Sequence, residues 1–339
     1  MHRSGTSAFV RVLNLLGCDL PRTILAADAT NVTGHWESRP ICRLDDRILA
    51  SAGSEWDDWL ELNPGWLRSP KAEEFRDEAL SVLQDEFAAS RMFVLKDPRI
   101  CRLVPFWLGV LEEAGIRPLV VFPLRNPLEV SASLEKRNGF APGLGQLFWL
   151  RHVLDAEFAS RGIPRFFTSY DRLLGEWARI MEDAQAALDI VWPRMSHHVA
   201  AEIEAFVSKQ YRHHEEDIGA VLENPRLSAW LRGAYRILGG WVTAGERPED
   251  FAELDRIRAE FNSAAPAFSR LIAAGKTAAE QVCEAHTRLA RAEKAKTAAK
   301  QKAARLEAEL GEARRRLRDT ERQIARLKAA GSGRPVVAE

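Results

Sequence analysis

Up to about residue 270, short apolar or β-branched runs alternate with segments of helical periodicity. MFVLK (92–96), PLVVFPL (118–124) and PRFFTSY (164–170) have the length and content of buried strands. Between them lie the helical stretches EEFRDEALSVLQDEF, CRLVPFWLGVLEEAG, which ends on Gly115, and NPLEVSASLEKRNG, which ends on Gly139. Strands separated by helices of this length need crossover connections. The expected fold class is therefore α/β, a parallel sheet flanked by helices over residues 1–270. Within it, residues 190–270 read as wholly helical.

The pattern then changes. Stepping by seven from Val282 gives Val282, Leu289, Lys296, Ala303, Leu310, Leu317 and Ile324, and the companion row runs from Ala285 to Leu327. Two such rows at 3–4 spacing predict a coiled coil over 276–330, about 70 Å long and tighter toward its Leu-rich end. A homo-oligomer is the expected consequence. Residues 288–328 carry 14 Lys/Arg against 6 Asp/Glu, so the same helix offers a basic face to an anionic membrane surface as an alternative. The tail 331–339 reads as disordered.

Composition narrows the picture. The 339 residues are 46% hydrophobic, enough for one large domain plus an appendage. Lys+Arg and Asp+Glu balance at 48 each, so no global charge points to nucleic acid. Cys18, Cys42, Cys101 and Cys283 form no CxxC pair, which disfavours a disulfide framework or zinc ribbon and suits a reducing cytosol. No apolar run approaches the ~20 residues of a membrane span, and the N-terminus lacks a signal-peptide core. The expectation is a soluble, cytoplasmic chain.

Three stretches carry chemistry. The chain opens MHRSGTS, in which Ser4, Gly5, Thr6 and Ser7 lead into a helix and Arg3 adds a fork suited to oxyanions. It is not a Walker A loop, which needs GxxxxGK[ST]. A serine-capped helix start is the plainer reading. The second stretch is LKDPRI, where Lys96 ends a strand and Asp97 and Pro98 could simply start the next helix. In the third, PLRNPLEVSASL, Arg125 ends a strand and Ser133 lies eight residues on. Ligands gather at the carboxyl ends of parallel strands, so all three can reach one anionic ligand.

Together these stretches resemble sulfotransferases that use 3′-phosphoadenosine 5′-phosphosulfate (PAPS), and most closely bacterial sulfotransferase-family proteins whose loop reads HRSGTS. The resemblance spans roughly residues 1–190 and implies a P-loop-like sheet. It implies that Arg3, Ser4, Gly5, Thr6 and Ser7 hold the 5′-phosphosulfate and that Arg125 and Ser133 hold the 3′-phosphate. By the same resemblance Lys96 reaches the transferring sulfuryl group, and Tyr170 of SYDRLL lies by the adenine. Family members carry a strand ending just before the first loop, so the first strand is expected to be missing before Met1, through a late start site or truncation.

A sulfuryl group carries less charge than a terminal phosphoryl group, and no acidic pair suited to Mg²⁺ stands out at a strand end. The expected reaction is metal-free, with Arg3 and Lys96 offsetting leaving-group charge. The resemblance points to Glu37 in GHWESRPICRLDD as the base, with His35 and the Asp45/Asp46 pair as alternatives. It also shows a departure, since Pro98 stands where cytosolic family members place a histidine. The acceptor is expected to be a carbohydrate or glycolipid hydroxyl. Trp36, Trp56, Trp59 and Trp66 are candidate stacking surfaces, Asp57 and Asp58 candidate sugar contacts, and YRHH (211–214) a candidate closing loop. His197–His198 and His213–His214 lack helical metal-pair spacing and read as surface residues. Gly143 and Gly145 are too few for a dinucleotide fingerprint. Two rival classes remain: a P-loop kinase, and a non-catalytic degenerate module acting through its coiled coil.

Overall fold

A computed structural model describes residues 1–26, 34–207 and 218–331. The described chain is mostly helical and falls into two compact units, Met1–Gly275 and Lys276–Glu339. Helices α1 (Thr6–Leu15), α2 (Arg39–Ser51), α3 (Pro70–Phe87) and α4 (Ile100–Glu113) precede strand β1 (Val120–Leu124). Helices α5 (Pro127–Asn138) and α6 (Pro142–Ala159) lead to strand β2 (Arg165–Ser169), and α7 (Tyr170–Leu188) follows at once. After α8 (His197–Phe206), α9 (Ile218–Leu222) and α10 (Ala229–Ala244), α11 runs from Phe251 to Gly331.

Local chemistry sets these boundaries. Ser38, Ser69 and Asn126 cap α2, α3 and α5 through their side chains, each with proline in the first turn. Gly139 closes α5 in the left-handed conformation (φ 73°), where a Cβ would be strained. Helix α6 is harder to read from the sequence because Phe148–Leu154 is buried without interruption, which erases the amphipathic stripe. Gly145 serves the α5–α6 packing: a Cβ there would come 3.0 Å from the Ser131 Cα.

The sheet is smaller than expected. Among the described residues it has two strands, β1 and β2, paired parallel from Val120↔Arg165 to Leu124↔Ser169. MFVLK is not a strand. Phe93 makes a single parallel bridge to Asp19, whose N–H donates to the Met92 carbonyl (2.8 Å) while Val94 N–H donates to the Asp19 carbonyl (3.0 Å). The segment after α1 offers one residue at the right spacing, and a ladder needs several. A multi-stranded P-loop-like sheet is therefore not what the described residues form.

Three apolar clusters fill the first unit. One packs β1 and β2 against α5, α6, α10 and the start of α11; a second packs α1 against α7 and α8; the third packs α2, α3 and α4. An ionic clamp built on two buried arginines ties the first cluster to the loop before α3. Arg102 donates to the carbonyls of Asp58 and Leu60 (both 2.7 Å), Arg151 to that of Trp59 (2.9 Å), and Asp155 bonds both guanidinium groups.

In the second unit α11 is a single helix, and its Leu-rich rows stand exposed. Among the described residues no helix is long and apolar enough to cross a membrane.

Candidate functional site

The register of β1 and β2 places Leu124 beside Ser169, so the next residues, Arg125 and Tyr170, emerge together at the carboxyl ends of the strands. The Arg125 guanidinium lies 5.2 Å from the Tyr170 ring centroid. The first loop crosses over this pair. Arg125 Nη1 donates to the Arg3 carbonyl (2.8 Å), and Arg3 Nε donates to Ser133 Oγ (2.7 Å), two turns along α5. Residues separated by more than a hundred positions thus share one hydrogen-bonded cluster.

The loop backbone is unusual. Arg3 has φ 64° and Gly5 has φ 74°, which brings two left-handed residues into one short turn. Such a conformation in arginine costs energy and marks a site that surrounding structure must hold. Gly5 is required sterically as well: a Cβ would lie 2.2 Å from Tyr170 Cδ2. Helix α1 begins at Thr6 with no side chain capping it, so its positive dipole end faces the turn. Ser4 is buried (2% exposed), whereas Thr6 and Ser7 are half-buried and Ser7 Oγ lies 3.5 Å from the His35 carbonyl.

Lys96 and Glu37 form the second half of the site. They make a close ion pair with side chains only 10% and 8% exposed, and Lys96 also donates to the His35 carbonyl (3.0 Å). The Cys42 thiol donates to the other Glu37 oxygen (3.4 Å). Burial raises the Cys42 pKa well above the ordinary thiol range, with Asp97 and Glu37 adding to the effect, so this group stays a neutral donor. Lys96 and Glu37 thus face each other across the turn that Lys96 opens.

Helix α2 presents Cys42, Asp45 and Asp46 toward that KDPR turn. Asp97 accepts from the Arg99 backbone N–H (2.8 Å) and from Arg99 Nη1 (3.0 Å), while Arg99 Nη2 reaches Asp46 (3.2 Å). Asp97 and Pro98 are not the cap and first turn of α4, which begins at Ile100 with Arg99 at the cap position and no side chain capping it; the Asp97 side chain instead aims Arg99. Asp45 is fully buried and accepts from Trp107 Nε1 (2.9 Å). Burial, reinforced by the charge of Asp97, pushes its pKa well above the ordinary value of 3.8. Asp45 thus faces the interior, while Asp46 is exposed and pairs with Arg99.

The remaining candidates divide. Trp59 and Trp66 are core side chains, packed on Phe261 and on Phe75 and Phe106. Trp36 and Trp56 are half-buried beside the site, Trp36 under Arg11 and Trp56 in edge contact with His2 (4.6 Å between centroids). Asp58 caps its own loop through Leu60 N–H (2.9 Å) and Ser54 (2.8 Å). His197 and His198 are exposed. YRHH (211–214), His213–His214 and residues 332–339 of the tail lie outside the described residues. Among those described, no group of three His, Cys, Asp or Glu is placed to hold a metal ion.

Compared with protein-family models, curated proteins and solved structures, the chain matches none.

Sequence reading alone missed three members of the cluster. Glu129 accepts from Arg125 Nε (2.7 Å) and fixes its fork, a pairing that the i, i+4 spacing on α5 makes legible in hindsight. Cys42 and Arg99 carried no local signal, because their roles depend on α2 lying against the KDPR turn.

Proposed function

We propose that this chain binds PAPS and transfers its sulfuryl group to a hydroxyl, with a carbohydrate or glycolipid as acceptor. One observation carries the reading. Loop 3–7, Arg125, Ser133 and Tyr170 form one cluster, with two guanidinium groups, hydroxyls and a helix N-terminus on a single turn. Such a cluster suits a ligand bearing two anionic groups on one ribose and an aromatic base. Arg125, held by Glu129, takes the 3′-phosphate with Ser133, and the adenine lies by Tyr170. Loop amides and Arg3 take the 5′-phosphosulfate.

In the transfer, Glu37 removes the acceptor hydroxyl proton as the oxygen bonds to sulfur in line. The bond from sulfur to the bridging oxygen breaks, and adenosine 3′,5′-bisphosphate leaves with its new charge offset by Arg3 and Lys96. The Lys96–Glu37 ion pair holds the Glu37 carboxylate in place beside the first loop. The test is transfer of labelled sulfate from PAPS to cell-envelope glycans. Glu37→Gln should lower turnover by ~10²-fold or more while adenosine bisphosphate still binds. Undiminished transfer by that variant would remove Glu37 from the role.

A further inference from the structure

Helix α11 carries seven large aliphatic side chains between residues 276 and 331, and all seven fall in the two heptad rows. Val282, Leu289, Leu310, Leu317 and Ile324 occupy one row, Leu306 and Leu327 the other, each between 48% and 68% exposed. A lone helix gains nothing from sorting its apolar residues this strictly, because the stripe stays in water. The charges flanking the stripe identify what covers it. With Val282 as position a, the charged g residues are Arg288, Lys302, Glu309 and Arg316, and the e residues five further along from these are Glu293, Glu307, Arg314 and Glu321; the other g positions, Ala295 and Gln323, are uncharged. In a parallel dimer with equal registers, each of these g residues meets an opposite charge on the partner helix, and no like charges meet. Sliding one helix by a heptad sets Arg288 against Lys300, Lys302 against Arg314, Glu309 against Glu321 and Arg316 against Lys328, so every attraction becomes a repulsion.

We propose that α11 pairs with α11 of a second copy of this chain as a parallel, in-register two-stranded coiled coil over residues 282–327. The occupant is a second copy because the charge pattern is self-complementary in one register. Parallel alignment also sets each of the five large residues from Leu306 to Leu327 against its own copy, with Ala313 and Thr320 as the layers between. An antiparallel pair matched end to end would set four of them against Ala303, Ala299, Ala292 and Ala285 and leave Leu327 against Val282. Lys296, the one charged residue in either row, carries the cost that fixes two strands and register. The inference is independent of the sulfuryl-transfer reading, and neither falls with the other.

The test uses the full chain carrying Cys283→Ala, an exposed position outside the rows, with Ala313→Cys in the second row. Mild oxidation should give a reducible covalent dimer in high yield, since residues 313 face each other in the parallel pair. In the end-matched antiparallel pair they would be about 25 Å apart, beyond disulfide reach. Sedimentation of the unmodified chain should show a dimer, weakened several-fold by Glu309→Lys and restored when Arg314→Glu is added. A dimer that does not cross-link at position 313 overturns the orientation, and a double variant as weak as the single overturns the register. A monomer that co-sediments with phosphatidylglycerol vesicles overturns the proposal in favour of a lipid surface.

Discussion

Arginine works in opposite ways in the two units. In Met1–Gly275, Arg102 and Arg151 are fully buried and share Asp155; Arg102 also donates to the carbonyls of Asp58 and Leu60, and Arg151 to the Trp59 carbonyl and to Asn262 Oδ1. In the C-terminal unit, Arg305 and Arg316 pair with Glu309 and Glu312 at i, i+4, and both guanidinium groups stand about four-fifths exposed. A buried guanidinium must have every donor satisfied or the fold suffers. An exposed one is screened by water and free to exchange partners. The first kind fixes geometry, and the second leaves its helix surface free to exchange partners.

The sharpest way to break this contrast is Asp155→Ala. Removing the carboxylate shared by two buried arginines should destabilise the first unit by about 3–5 kcal/mol, read from denaturant unfolding. Arg305→Ala should leave the same unfolding midpoint unchanged. Equal effects would mean that burial does not separate the two regions.

Acidification should also find the first unit. His152 is fully buried and His2 half-buried, and loss of solvation pushes both pKa values well below the ordinary 6.5, with neighbouring cations adding to the effect. A histidine depressed in the folded state contributes stability that is present above about 6.5 and is lost as pH falls below it. The unfolding temperature of the first unit should therefore drop between pH 6.5 and 5.5. The exposed helix has no buried histidine, so its helicity by circular dichroism should hold across that window. Its loss in step with the first unit would contradict this assignment.

Helices α3 and α5 were legible because their caps, prolines and terminal glycine agree with their apolar spacing. So was the pairing of β1 with β2, two apolar runs joined by helical crossovers. MFVLK misled because composition marks a buried extended segment, while a strand also needs a neighbour of matching length. Helix α6 stayed hidden because a helix buried on all sides has no polar face to set its period. At the site, Arg3 and Arg125 could be named from motifs before a helix and at a strand end, and Ser133 from its spacing of eight residues after Arg125. Cys42, Arg99 and Glu129 act through contacts made by folding. Only the packing of α2 and the turn of α5 reveal them.

The central claim is that the first loop and Arg125 hold the two ends of one bisphosphate nucleotide. Calorimetric titration of the full chain with adenosine 3′,5′-bisphosphate and with 5′-AMP tests it directly, beside the Arg125→Ala variant. The account predicts one site per chain and a preference for the bisphosphate. Arg125→Ala should weaken the bisphosphate by ~10–100-fold, the loss of a charge-assisted pair, and barely alter 5′-AMP. A folded chain that binds neither ligand, or a variant that loses both equally, would contradict it.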